Sequence, residues 1–224
     1  MFGKNLKLKP EYQEEKVLKV TSIFRTLQGE GPFVGYPAIF IRMSGCNLAC
    51  YFCDTEFDSY ELLSLEEILL QIQELSKGFF SHKEALIVIT GGEPLRQNIS
   101  PLCQKLLDLG YIVQLETNGT LMAPDLPQAV KIICSPKPVQ GKYYSLRPDI
   151  LDRAIAIKFL ISAEDKDYQI CPDLGQGSKI ATYLQALDQY DSEKNAANLA
   201  LAMKLALETG YNLSVQLHKI LGID

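Results

Sequence analysis

Ala38-Ile39-Phe40-Ile41-Arg42-Met43 runs without a break into Ser44-Gly45-Cys46-Asn47-Leu48-Ala49-Cys50-Tyr51-Phe52-Cys53. The first six residues form a short apolar run, which reads as a β-strand ending at Met43. A cluster loop of about residues 44–56 follows, with three cysteines separated by three and then two residues. That spacing lets a loop wrap one face of a cubane iron–sulfur cluster. A [4Fe–4S] cluster takes four ligands, and no fourth cysteine lies within reach in the sequence. The uncovered iron is then free to bind a substrate or cofactor directly. A structural zinc site is normally closed by four ligands, and the nearest histidine, His82, has no finger-like spacing. Three unligated thiols in a loop is the plainest alternative.

Outward from this stretch, further apolar runs read as strands: Val17–Phe24, Leu86–Thr90, Tyr111–Leu115, Val130–Cys134, Ala154–Ile161 and Leu213–Leu217. Ser64 with Glu67 predicts a capping box ahead of Ile68, Leu69, Ile72 and Leu75. Ser100-Pro101 opens a second helix that Gly110 closes. A third spans about 192–209 with Leu199, Met203, Ala206 and Leu207 on one side, and ends at Gly210. Alternating strands and helices imply an α/β fold with a mostly parallel sheet, open or curled into a partial barrel. Working residues of such sheets collect at the carboxyl ends of the strands. The cysteine loop, Gly91-Gly92-Glu93-Pro94, Glu116-Thr117-Asn118, Ser135-Pro136-Lys137 and His218 all follow predicted strands at that end.

The 224 residues carry 47% hydrophobic and 22% charged side chains, without repeats or Gly/Ser linkers, so one domain over 1–224 is expected. A net charge of -5 argues against nucleic-acid or anionic-membrane partners. No apolar run approaches the roughly 18 residues of a spanning helix, and the N-terminus lacks a secretory pattern. The cytoplasm is the expected compartment. Cys103, Cys134 and Cys171, standing 31 and 37 residues apart, read as small core residues.

The three-cysteine spacing resembles that of the radical S-adenosylmethionine (radical SAM) superfamily, whose site-differentiated iron is chelated by that cofactor. Gly91-Gly92-Glu93-Pro94 resembles the superfamily's loop for the cofactor's methionine amino group. The flanks are similar to one branch, which builds the 7-deazaguanine nucleus of queuosine. They are Thr26-Leu27-Gln28-Gly29-Glu30-Gly31, Gly35-x-Pro37-Ala38 with Arg42, Cys53-Asp54-Thr55, Glu116-Thr117-Asn118-Gly119, Ser135-Pro136-Lys137 and Ser214-Val215-Gln216-Leu217-His218-Lys219. The resemblance covers about residues 18–224 and implies an abridged partial (β/α) barrel. It implies ring contraction of 6-carboxy-5,6,7,8-tetrahydropterin to 7-carboxy-7-deazaguanine with loss of ammonia. It also implies a [4Fe–4S] cluster, S-adenosylmethionine, Mg²⁺, an electron donor such as flavodoxin, and a homodimer.

The resemblance places the cluster on Cys46, Cys50 and Cys53. It assigns S-adenosylmethionine to Phe52, Gly92, Glu93, Thr117, Ser135, Pro136, Lys137 and Lys158. Lys158, an isolated charge in an apolar strand, also reads as an edge lysine that snorkels. Substrate contacts fall on Leu27, Gln28, Gly29, Glu30, Arg42, Thr90, His218 and Asp224. Gln28–Glu30 also reads as a tight turn, and Arg42 either as a fork to a carboxylate or as half of a surface ion pair. Thr55 offers a hard oxygen to Mg²⁺, or sits in a local turn. The tail 218–224 is expected to complete the site, anchored by Ile220, Leu221 and Ile223. A glycyl-radical activating enzyme would share the cluster and the GGEP loop, but gives no reason for Gln28–Glu30 or the His218 ending. An electron-carrier iron–sulfur protein would leave the GGEP loop unexplained.

Overall fold

A computed structural model describes residues 5–11, 17–53, 55, 59–78, 85–138, 141–143, 146–177 and 179–223. The chain gathers into two compact units, one of residues 1–28, 35–117 and 121–131, the other of 29–34, 118–120 and 132–224.

The first unit contains β1 (Val17–Leu27), β2 (Pro37–Met43), β3 (Glu61–Ser64), α1 (Leu65–Ser76), β4 (Leu86–Gly91), α2 (Ser100–Asp108) and β5 (Ile112–Thr117). β1 pairs antiparallel with β2 and β3, whereas β2, β4 and β5 are parallel neighbours. Ile39, Ile41, Ile87, Val88, Ile89 and Val113 are fully buried. Such near-continuous apolar strands are what a sheet covered on both faces requires. α1 begins as expected: Ser64 Oγ accepts from the Glu67 amide, and the Glu67 carboxylate accepts from the Ser64 amide. Its buried side is Ile68 and Ile72. α2 buries Leu102, Cys103 and Leu106.

The second unit contains β6 (Lys131–Cys134, of which Lys131 belongs to the first unit), α3 (Pro148–Leu151), β7 (Ala154–Ile161), β8 (Ala181–Ala186), α4 (Ser192–Thr209), β9 (Asn212–Ser214) and α5 (Leu217–Leu221). β6 to β9 pair in sequence order and in parallel. α4 is capped by the Asp191 carboxylate and ends at Gly210 in the left-handed conformation, φ 74°.

Several expectations need correction. β3 and β8 were not expected; β3 is only four residues long, and β8 carries polar Thr182 and Gln185 buried in mid-strand. The expected strand Leu213–Leu217 ends at Ser214, and Leu217 begins a helix instead. α4 does not bury the side carrying Met203 and Leu207, which are 47% and 86% exposed; it buries Asn198 and Ala202. Asn198 faces inward because its amide accepts from the Ala163 amide at 2.7 Å and donates to Leu187 O at 2.7 Å. The two bonds tie α4 to the chain just after β7 and just after β8. Cys103 and Cys134 are core residues, while Cys171 is only half-buried, in an irregular stretch after β7.

Candidate active site

In the first unit, the parallel register places Arg42 beside Thr90 and Met43 beside Gly91. Beyond these strand ends the two loops press together. A Cβ on Gly91 would stand 2.1 Å from Met43 O, and one on Gly92 would stand 2.1 Å from Gly45 O and 2.9 Å from the Cys46 Cβ. Gly91 also has φ 134°, a conformation closed to ordinary side chains. The double glycine is thus required by close backbone approach to the cysteine loop. The contacts are fixed by the Gly92 amide donating to Met43 O and the Glu93 amide donating to Gly45 O.

Glu93 is fully buried, and its carboxylate accepts from the Leu95 amide and from Thr117 Oγ1 at 2.8 Å. Gly92, Glu93 and Thr117, all expected at the cofactor, are therefore joined to one another and to the base of the cysteine loop. Phe52 meets Tyr51 edge-on, with ring centroids 5.2 Å apart. Arg42 donates to Thr55 Oγ1 at 3.1 Å and lies over the Phe24 ring. Asp54, between Cys53 and Thr55, lies outside the described residues.

Among the described residues, no three His, Cys, Asp or Glu side chains are grouped as around a single metal ion. A cubane is held differently, by thiolates on different irons, and the three cysteines fit that donor set. Cys46, Cys50 and Cys53 are all half-buried. The Cys53 amide donates to Cys50 O, which closes the loop. Burial first, then the charges of Glu93, Cys50 and Cys53, push the Cys46 thiol up to about 11, against a single backbone donor from Leu48. Such a thiol ionises when a metal displaces its proton.

In the second unit a different constellation forms. Lys158, only 5% exposed on β7, is ion-paired with Glu30. Gln216 Nε2 donates to the other Glu30 oxygen at 2.9 Å. Burial opposes ionisation of Glu30. The Lys158 charge and hydrogen bond, the Gln216 hydrogen bond and the His218 charge prevail, and hold it at about 2. The snorkelling alternative for Lys158 therefore fails, because its ammonium is buried against a carboxylate. Its backbone carbonyl accepts from Ser135 Oγ at 3.0 Å, and Lys137 Nζ donates back to Ser135 O and Oγ, both at 2.7 Å. Pro136 between them is buried.

His218 packs on Gly29, where a Cβ would lie 2.1 Å from the imidazole Nδ1. The Leu217 amide donates to Gly29 O at 3.0 Å, and the Gly31 amide donates to Ser214 Oγ at 3.1 Å. The tail is thus pinned by backbone and polar contacts. Ile220, Leu221 and Ile223, expected as its anchors, are 70%, 52% and 40% exposed. Asp224 lies outside the described residues. Gln28, in the first unit, is buried and exchanges backbone bonds with Gly35 and Tyr36, seven and eight residues on, rather than closing a tight turn on itself. Leu27, just before it, is the half-buried last residue of β1. Gln216 was missed, although it stands inside the quoted motif before His218.

A family model of the radical SAM superfamily matches residues 40–161. A 7-carboxy-7-deazaguanine synthase from Rickettsia prowazekii is 50% identical, over 100% of this chain and 96% of that protein. The chain belongs to the 7-carboxy-7-deazaguanine synthase family of radical SAM enzymes. The Rhodospirillum rubrum member is 38% identical over the full length of both chains. The crystal structure of QueE from Escherichia coli superposes with a TM-score of 0.71 at 28% identity, covering 92% of this chain and 97% of that one. The α/β architecture with mostly parallel strands is thereby that of the family. Membership implies a [4Fe–4S] cluster, S-adenosylmethionine and a small-molecule substrate. Among the described residues, no helix is long and apolar enough to cross a membrane.

Proposed function

We propose that this chain contracts 6-carboxy-5,6,7,8-tetrahydropterin to 7-carboxy-7-deazaguanine with release of ammonia, in 7-deazapurine (queuosine) biosynthesis. The product equals the substrate less ammonia, so no net oxidant is needed. The observation that carries the reading is Glu30, an ionised carboxylate held by Lys158 and Gln216 beside His218. A carboxylate kept charged in a largely enclosed place is a strong acceptor for the adjacent N–H donors of a guanine-like edge. Lys158, first expected on the cofactor, serves here to hold Glu30.

The bound cluster and S-adenosylmethionine would supply a hydrogen-abstracting radical at the substrate's C6. Cys46, Cys50 and Cys53 hold the cluster, and Phe52, Gly92, Glu93 and Thr117 border the cofactor. Ser135, Pro136 and Lys137 carry the same assignment. Arg42 presents its guanidinium to the substrate carboxylate, with Thr90 beside it on the neighbouring strand β4. Leu27, Gln28, Gly29, His218 and Asp224 carry the same assignment to substrate as Glu30. Thr55 Oγ1 is the hard oxygen assigned to Mg²⁺, which takes few protein ligands. We assign both units to one radical SAM domain, acting as a cytoplasmic homodimer reduced by a flavodoxin-like donor. Anaerobic incubation with the carboxypterin, S-adenosylmethionine, Mg²⁺ and reductant should yield the deazaguanine by mass detection. Cofactor cleavage without that product would overturn the substrate assignment.

A further inference from the structure

We propose that the N-terminal segment Asn5–Glu11 belongs to the cluster's own environment, with the Asn5 amide donating to the Cys53 sulfur and easing reduction of the cluster. The inference rests on the assignment of Cys46, Cys50 and Cys53 as ligands. Asn5 Nδ2 donates to Thr55 O at 2.6 Å and to Cys53 Sγ at 3.5 Å. A carbonyl oxygen only accepts, so the nitrogen of the Asn5 amide must face Thr55 O. The second hydrogen of the same NH₂ group is then available to the sulfur.

The segment is registered along its length. Lys7 bridges Cys46 in parallel, and the Leu8 amide donates to Cys46 O at 2.8 Å. Farther on, the Glu11 amide donates to Arg96 O at 2.7 Å, and the Glu11 carboxylate pairs with Lys19 at 2.7 Å and Arg96 at 3.2 Å. Arg96 also donates to Lys9 O. Its guanidinium is 1% exposed and lies under Gly45, where a Cβ would come within 2.7 Å of Nη2. Apolar burial does not account for this docking, because Leu6 is 77% and Leu8 39% exposed. Polar groups aimed at the cysteine loop hold the segment. One-electron reduction makes a cluster more negative, so a donor to a ligating sulfur stabilises the reduced form more and raises the potential.

Native protein and Asn5→Leu, reconstituted anaerobically to matched iron per chain, are titrated with reductant under electron paramagnetic resonance. The midpoint of Asn5→Leu is expected at more negative potential, and an unmoved or more positive midpoint overturns the proposal. Where Asn5→Leu takes up no iron, Glu11→Gln tests the segment from its other end. It is expected to speed hydrogen exchange of the Leu8 amide and to move the midpoint in the same negative direction. Fast Leu8 exchange with an unmoved midpoint overturns the proposal. Native protein that binds no cluster would instead overturn the ligand assignment beneath it.

Discussion

The cysteine loop and the Glu30 constellation place functional groups by opposite means. In the first unit, positions are dictated by backbone. Gly91 and Gly92 let one loop lie on another, and amide–carbonyl bonds fix the register. In the second, positions are dictated by charge between distant side chains. Glu30 meets Lys158 across 128 positions and Gln216 across 186. A backbone-built site tolerates no added volume, whereas a charge-built site tolerates no missing partner.

The largest effects are expected in the backbone-built site. Cys46→Ala, Cys50→Ala and Cys53→Ala should each abolish cluster uptake and turnover. Cys103→Ala, Cys134→Ala and Cys171→Ala should keep both, and a loss of iron in any of these would break the ligand assignment. Gly92→Ala is the steric counterpart, since its Cβ would meet backbone that cannot rotate away. It should cut iron content several-fold. Gly29→Ala, where the nearest obstacle is the His218 imidazole at 2.1 Å and its backbone nitrogen follows at 3.0 Å, should retain the cluster and raise substrate KM. Equal iron loss in both variants would erase the distinction.

Lys158→Met should be the most damaging single change in the charge-built site. It leaves Glu30, whose side chain is only 18% exposed, without its cation, a defect that costs up to about 3–5 kcal/mol. The double variant Lys158→Met/Glu30→Gln removes the orphaned charge and should recover most of that stability in urea unfolding. It should not recover turnover, because the acceptor for substrate is gone. Recovery of activity would show that Glu30 serves only the fold.

A smaller effect follows from pH. Folding lowers Glu30 from 4.5 to about 2. A depressed carboxylate contributes stability that is complete above the unfolded value and is lost as pH falls through the folded one. The stability gap between native protein and Glu30→Gln should therefore be constant above about 5.5 and close between 4.5 and about 2. A gap that widens toward acid would contradict the ion pair.

The same contrast explains what the sequence disclosed. The Gly91–Pro94 turn was legible because only glycine fits the left-handed, closely packed backbone at Gly91. The capping box at Ser64 and the end of α4 at Gly210 were likewise legible from residues close in sequence. Lys158 was ambiguous, since nothing near it in sequence announces Glu30. β8 was hidden by inward polar residues, Thr182 and Gln185, which break the apolar pattern. On α4, tertiary partners for Asn198 outweighed the apolar stripe of Met203 and Leu207. Asn5–Glu11 has no motif, because its role lies in where its amides point.

The tail offers the subtlest test, since its composition and its contacts disagree. Ile220 and Leu221 look like anchors but stand 70% and 52% exposed, so Ile220→Ser and Leu221→Ser should change stability by no more than about 0.5 kcal/mol. Lys219 looks like a surface lysine, yet its ammonium lies 2.5 Å from Asp188 and 4.8 Å from the Tyr190 ring centroid. Both side chains of the pair are less than a third exposed, so Lys219→Ala should cost about 1 kcal/mol. It should also let α5 drift, and with it His218 on Gly29. With His218 in its proposed role as a substrate contact, substrate KM should then rise several-fold while kcat changes little. If the serine variants raise KM and Lys219→Ala does not, the tail is held by its apolar residues in solution, and the polar contacts are incidental.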